Sequence, residues 1–135
     1  LRAAHELKRL ALIAVLALPA HAQDGMSPEA FRSLTEGKTL YFSQEGRFYG
    51  AEQYLKNNRV RWQYPNGECT EGQWYGQGNQ LCFQYEDVIG AQCWIMWDEG
   101  GQLLARHADD PADIPIELDR KDELPLPCAG PDLGV

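Results

Sequence analysis

Apolar and polar residues alternate in short runs through most of this chain. Arg59-Val60-Arg61-Trp62-Gln63-Tyr64 is the plainest case. A period of two puts Val60, Trp62 and Tyr64 on one face, as in a half-buried β-strand. Comparable runs rich in aromatic and branched residues span 38–43, 47–55, 73–76, 81–85, 91–97 and 102–107. Between them lie turn-forming stretches: Gln44-Glu45-Gly46, Asn57-Asn58, Pro65-Asn66-Gly67, Gln77-Gly78-Asn79 and Asp98-Glu99-Gly100-Gly101. Short strands with turn signals roughly every 8–12 residues predict an antiparallel β-barrel or β-sandwich, not a βαβ fold. Residues 114–118 could add an eighth strand, and Pro115, which has no N–H to give a ladder, would confine it to an edge. The fold class expected is therefore mainly β, with about seven to eight strands.

One helix is expected, over residues 28–35. Ser27 can cap it, Pro28 suits its first position, and Gly37 can end it. Phe31 and Leu34, three apart, would share its buried face.

The first 22 residues read differently. Arg2, Lys8 and Arg9 precede an unbroken apolar run from Leu10 to Ala20, and Ala20-His21-Ala22 is a small-x-small cleavage site. This is the layout of an export signal. The run has 11 residues, against about 20 needed to cross a bilayer core. Cleavage after Ala22 is expected, leaving a single domain over 23–135 whose acidic, proline-containing tail spans 109–135. No cysteine lies near the cleavage point, so no lipid anchor is expected there, and the mature chain should be periplasmic or secreted.

Charge narrows the partners. The whole chain carries 12 basic and 20 acidic residues, a net charge of −8. The leader holds three of the basic residues and one of the acidic, so the remainder stands at 9 against 19, or −10. Nucleic acid, which needs basic groups to neutralise phosphates, is not an expected partner. Anionic membrane surfaces are disfavoured for the same reason.

Cys69, Cys82, Cys93 and Cys128 are the four cysteines. An even number in an exported chain reads as two disulfides. If residues 86–89 form a four-residue loop, Cys82 falls directly opposite Cys93, close enough to bridge. The other pair is then Cys69–Cys128, which would clamp the tail to the sheet. Zinc ligation lacks both C-x-x-C spacing and partner histidines.

The segments Gly37-Lys38-Thr39-Leu40, Gly72-Gln73-Trp74, Gln80-Leu81-Cys82 and Gln92-Cys93-Trp94 resemble a shared pattern. It is that of small exported alphaproteobacterial proteins classed as a domain of unknown function. The resemblance covers roughly residues 31–106 and implies a secreted β-rich domain with the Cys82–Cys93 bridge. It implies no activity and no catalytic residue.

Nothing in the residues assigns a catalytic group, a metal or a cofactor. His107 is the one histidine of the mature chain, and no serine sits in a G-x-S-x-G turn beside which it could act. Glu45, Glu52, Glu68 and Glu71 lie near strands or turns and read as solvated acids, although a glycosidase pair could hide among them. Asp109, Asp110 and Asp113 form an acidic loop without calcium-loop spacing. Trp62, Trp74, Trp94 and Trp97 read as core. Tyr49, Arg61 and Tyr75 lie on the outward side of their strands by alternation, and are the candidate binding residues. The expected function is a non-enzymatic binding or inhibitor-like module that meets a small ligand or an envelope protein. Two alternatives stand beside it: a hydrolase of envelope polysaccharide or peptide acting through a carboxylate pair, and a structural envelope component.

Overall fold

The computed structural model describes residues 11–13 and 24–129. The leader expected over 1–22 therefore lies outside the described residues except at 11–13, and the tail is described only as far as Ala129.

A helix, α1 (Pro28–Thr35), is followed by eight strands: β1 (Thr39–Gln44), β2 (Arg47–Tyr54), β3 (Arg59–Gln63), β4 (Cys69–Gln77), β5 (Gln80–Tyr85), β6 (Gln92–Glu99), β7 (Gln102–His107) and β8 (Ile116–Asp122). Each strand pairs antiparallel with the next, and β8 returns to β1, closing an up-and-down barrel. Closure removes every sheet edge, so β8 is not the edge strand expected over 114–118. Pro115 stands just before the strand, where its missing N–H breaks no ladder. The strand instead runs on through Asp119-Arg120-Lys121-Asp122. Its pairing with β1 includes Tyr41↔Arg120 and Thr39↔Asp122, and the Arg120 guanidinium lies 3.7 Å over the Tyr41 ring. β4 is likewise longer than expected, starting at Cys69, because all of β3 pairs with it from Arg59↔Gln73 to Gln63↔Cys69; Arg61 and Glu71 form a 2.7 Å ion pair across the two strands.

Strand alternation divides the residues between lumen and surface. Leu40, Phe42, Tyr54, Val60, Trp74, Leu81, Phe83, Met96, Ala105 and Ile116 are buried together in the interior. Helix α1 plugs one end. Ser27 Oγ accepts from Ala30 N at 3.2 Å, Pro28 opens the first turn, and Gly37 follows with a φ of +75°. Phe31 is fully buried, with its ring edge-on to Tyr54, Trp74 and Phe83 at centroid distances of 5.4, 5.1 and 6.2 Å. The residue that shares this face is Thr35, not Leu34. One turn from Phe31, Thr35 donates to the Phe31 carbonyl at 2.8 Å and is 1% exposed, whereas Leu34 is half-buried.

Both disulfides pair as expected. Cys82 stands opposite Cys93 in the β5–β6 register, with Cα atoms 3.9 Å apart. Cys69–Cys128 fixes the tail, whose backbone crosses the outer wall. Thr39 Oγ1 donates to Leu124 O at 2.6 Å, Leu126 N to Gln53 Oε1 at 3.2 Å, Gln63 Nε2 to Pro127 O at 2.7 Å and Ala129 N to Gly67 O at 2.7 Å. Leu126 is buried under this strap. Two disulfides are consistent with an oxidising, extracellular type of compartment.

Candidate functional site

Helix α1 closes the end where β1 starts and β2 ends. The opposite end is formed by the β1–β2 turn, the β3–β4 turn, and the loops 86–91 and 108–115. Between the two lies a cavity of about 460 Å³. Its inner part is walled by Leu81, Phe83, Met96, Ala105 and Ile116, and its upper wall by Tyr49, Trp62, Trp94 and His107. The exposed apolar side chains of Phe48, Ile89 and Ile114 stand at this open end.

Two glycines make room for the aromatic wall. A Cβ on Gly50 would run into the Trp62 indole, and one on Gly72 would come within 2.7 Å of the Tyr85 ring. Large rings in the lumen thus depend on absent side chains in the strand beside them. The wall is continuous: Tyr49 meets Trp62 and Trp94 at 5.9 and 6.3 Å, and Phe83 stacks on Tyr85 at 6.2 Å.

Glu52 projects into this apolar space from the middle of β2. It is 2% exposed. Tyr54 Oη donates to its Oε1 at 3.0 Å, and Tyr85 Oη makes a short hydrogen bond to its Oε2. Burial pushes the Glu52 carboxyl up to about 8, against the opposing pull of those two hydrogen bonds. It is therefore predominantly a neutral acid at pH 7. Burial and the neighbouring Glu52 together drive both phenols well above their ordinary range, so they remain protonated donors.

His107 lies on the upper wall, with its side chain partly exposed at the mouth. Its ring packs 4.0 Å from that of Trp94, and Nδ1 is 2.8 Å from Asp113 Oδ2. Asp113 also accepts from the His107 backbone N–H at 2.9 Å. Burial raises the Asp113 carboxyl, but these bonds and the nearby imidazole outweigh it, so the net shift is downward. The acidic loop expected over 109–113 thus carries one residue that orients His107. Among the described residues, no group of three or more His, Cys, Asp or Glu is placed to hold a metal ion.

Of the three residues singled out by alternation, the structure brings one to the cavity. Tyr49 turns inward because the β1–β2 register shifts between Phe42 and Ser43, leaving Tyr49 without a partner and reversing its face. Arg61 stays on the outer wall with Glu71, and Tyr75 is on the outside of β4, 44% exposed. Trp74 and Trp97 are buried, while Trp62 and Trp94 line the cavity. Glu52, grouped above with solvated acids, is inward-facing. The signal that could have found it is its i, i+2 relation to Tyr54 within an alternating strand.

A scan of family models, a search of curated proteins and a search of solved structures each find no match to this chain. A functional reading therefore rests on the geometry of the cavity.

Proposed function

We propose that the chain is an exported binding protein, working in the periplasm or beyond, whose barrel holds one small and mainly apolar ligand. The observation that carries this reading is the aromatic-walled cavity with a carboxyl group, Glu52, fixed in its depth by two phenols. Small-molecule sites combine these features: roughly 300–1,000 Å³, apolar walls, and a few well-placed polar atoms that orient the ligand. Closure by Phe31 at one end leaves the other as the route of entry. A hydrolase of the carboxylate-pair type needs a second acid across the cleft. Glu52 is the one acid among the described residues that line this cavity, which favours binding over that chemistry.

The test follows thermal unfolding and tryptophan fluorescence of the mature protein against a panel of small aromatic and aliphatic compounds. A ligand that binds the native state alone raises the melting temperature, and contact with Trp62 and Trp94 should alter their emission. Ala105→Leu, which extends a side chain into the lumen, should weaken the same compounds at least tenfold. Binding that Ala105→Leu leaves unchanged would place the site elsewhere. No response to any compound would remove the ligand reading.

A further inference from the structure

We infer that the ligand is a small organic cation: an amine or quaternary ammonium on an aromatic or aliphatic body, its positive charge set between Glu52 and the surrounding rings. This rests on the cavity being a ligand site and adds the chemical class of its occupant.

Glu52 is the starting point. Acids are rarely buried without a charge to pair with, because desolvating a carboxylate is costly. Among the described residues, the partners of Glu52 are two phenols and no lysine, arginine or histidine. Both phenols hold their protons, so they arrive as donors and bring no positive charge. Two donors aimed at two different oxygens are the surroundings of an ionised carboxylate, which accepts only and keeps further lone pairs free. What this constellation lacks is a cation, and the cavity is the space from which one can come.

The walls point the same way. Ring faces carry negative potential and attract ammonium groups, most strongly those of tryptophan. Trp62, Trp94, Tyr49, Phe83 and Tyr85 all face the cavity. An anionic ligand would meet these faces, Glu52, and a chain of net charge −8. A neutral ligand would gain from the apolar walls but leave Glu52 protonated, with both of its oxygens accepting from phenols and its own O–H without an acceptor.

Binding must then move a proton. The empty site holds Glu52 as the neutral acid up to about pH 8. When R–NH3⁺ enters, the Glu52 O–H bond breaks, the proton leaves to solvent, and the carboxylate pairs with the ammonium. No other bond changes. Apparent affinity should therefore rise about 50-fold from pH 6 to pH 8 and level off above. The other titratable groups facing the cavity are Tyr54 beside Glu52 on β2, Tyr85 on β5, Tyr49 and Tyr64 on the upper wall, and His107 at the mouth, whose ring Asp113 holds from behind the lining. Asp87 holds the Tyr64 hydroxyl at 2.6 Å. The tyrosines stay protonated across this range. His107 is the one group besides Glu52 that a control must separate.

The test is calorimetric titration of the mature wild type, Glu52→Gln and His107→Gln with tryptamine and with its neutral isostere tryptophol, from pH 6 to pH 8. Two buffers of different ionisation enthalpy count the protons released. Wild type should bind tryptamine at least tenfold tighter than tryptophol at pH 8, show the 50-fold rise, and release close to one proton at pH 7. Glu52→Gln should abolish the rise, the proton release and the preference for tryptamine over tryptophol, and His107→Gln should retain all three. Equal affinity for the two compounds in wild type would overturn the cation assignment and leave the cavity reading standing. A pH dependence that survives in Glu52→Gln and disappears in His107→Gln would also overturn it. Failure of both compounds to bind would overturn the cavity reading along with it.

Discussion

Replacing Glu52 by glutamine should stabilise the empty protein at neutral pH, and the gain should grow with pH. Burial raises the carboxyl from 4.5 to about 8. Between those values the folded chain holds a proton that the unfolded chain has released. Stability changes with pH in proportion to the protons bound by the unfolded state minus those bound by the native state. That difference is negative here, so stability falls from about pH 4.5 to about pH 8 and is flat above. Each pH unit in the window costs about 1.4 kcal/mol, or on the order of 3 kcal/mol by pH 7 and somewhat more by pH 8. Against a typical total of about 5–15 kcal/mol, this is a large fraction. Glutamine keeps the shape, and its amide can accept from one phenol and donate to the other, so contact with both phenols is kept. The assay is urea unfolding of both proteins, disulfides intact, at pH 5, 6, 7 and 8. Taking the difference between them cancels Asp87 and Asp113, whose carboxyls are shifted downward and titrate below this window. The difference should widen by roughly 3 kcal/mol from pH 5 to pH 8. A difference that stays constant with pH would show that Glu52 is not held as a buried neutral acid, and would refute the reasoning.

Phe31→Ala should cost about 3–5 kcal/mol, the usual loss for a fully buried aromatic, and should raise hydrogen exchange in α1 and the adjoining ends of β2 and β5 before the rest of the barrel. Gly50→Ala puts a methyl group against the Trp62 indole. It should cost about 1–3 kcal/mol by overpacking and displace Trp62, read as a change in tryptophan emission and in binding of any cavity probe. Cys69→Ser with Cys128→Ser opens a span of 59 residues and should cost up to about 4 kcal/mol in denaturant midpoints. The Cys82–Cys93 pair, with a separation of 11, should cost about 3. Equal losses for the two pairs would count against a loop-entropy origin.

What could be read from the residues alone was whatever depends on local pattern. The period of two in Arg59–Tyr64 correctly separated the lumen-facing Val60 and Trp62 from Arg61, which pairs with Glu71 outside. Counting back from an assumed loop placed Cys82 opposite Cys93, because hairpin register follows from loop length. Barrel closure was not legible, since it joins Thr39 to Asp122 across 83 positions. The strand that makes it ends in Asp119-Arg120-Lys121-Asp122, residues that face solvent and carry no apolar alternation. Tyr49 was assigned the wrong face because a register irregularity lies between it and the regular part of β2, and alternation is blind to an unpaired residue.

Glu52 shows why the site was harder to read than the fold. Taken alone, an acid in a strand is ordinary, and surface acids far outnumber buried ones. Its meaning comes from three residues distant in the chain. Tyr85 arrives from β5 to bond its second oxygen, Gly72 of β4 leaves space for the Tyr85 ring, and Trp62 of β3 covers the strand beside it. Each of these has a purely structural explanation, and only their meeting in the lumen leaves an acid with two donors and, among the described residues, no cationic partner. The same meeting makes the site costly when empty, because the protein holds a protonated carboxyl that its unfolded chain would release. A cation that binds the ionised form offsets that cost. Ligand-induced stabilisation should therefore be largest near pH 8, where the empty protein is least stable and the fewest protons must be displaced. A neutral occupant would stabilise the fold about equally across the range. The pH dependence of the ligand-induced melting shift thus separates a charge-completing ligand from one that merely fills the lumen.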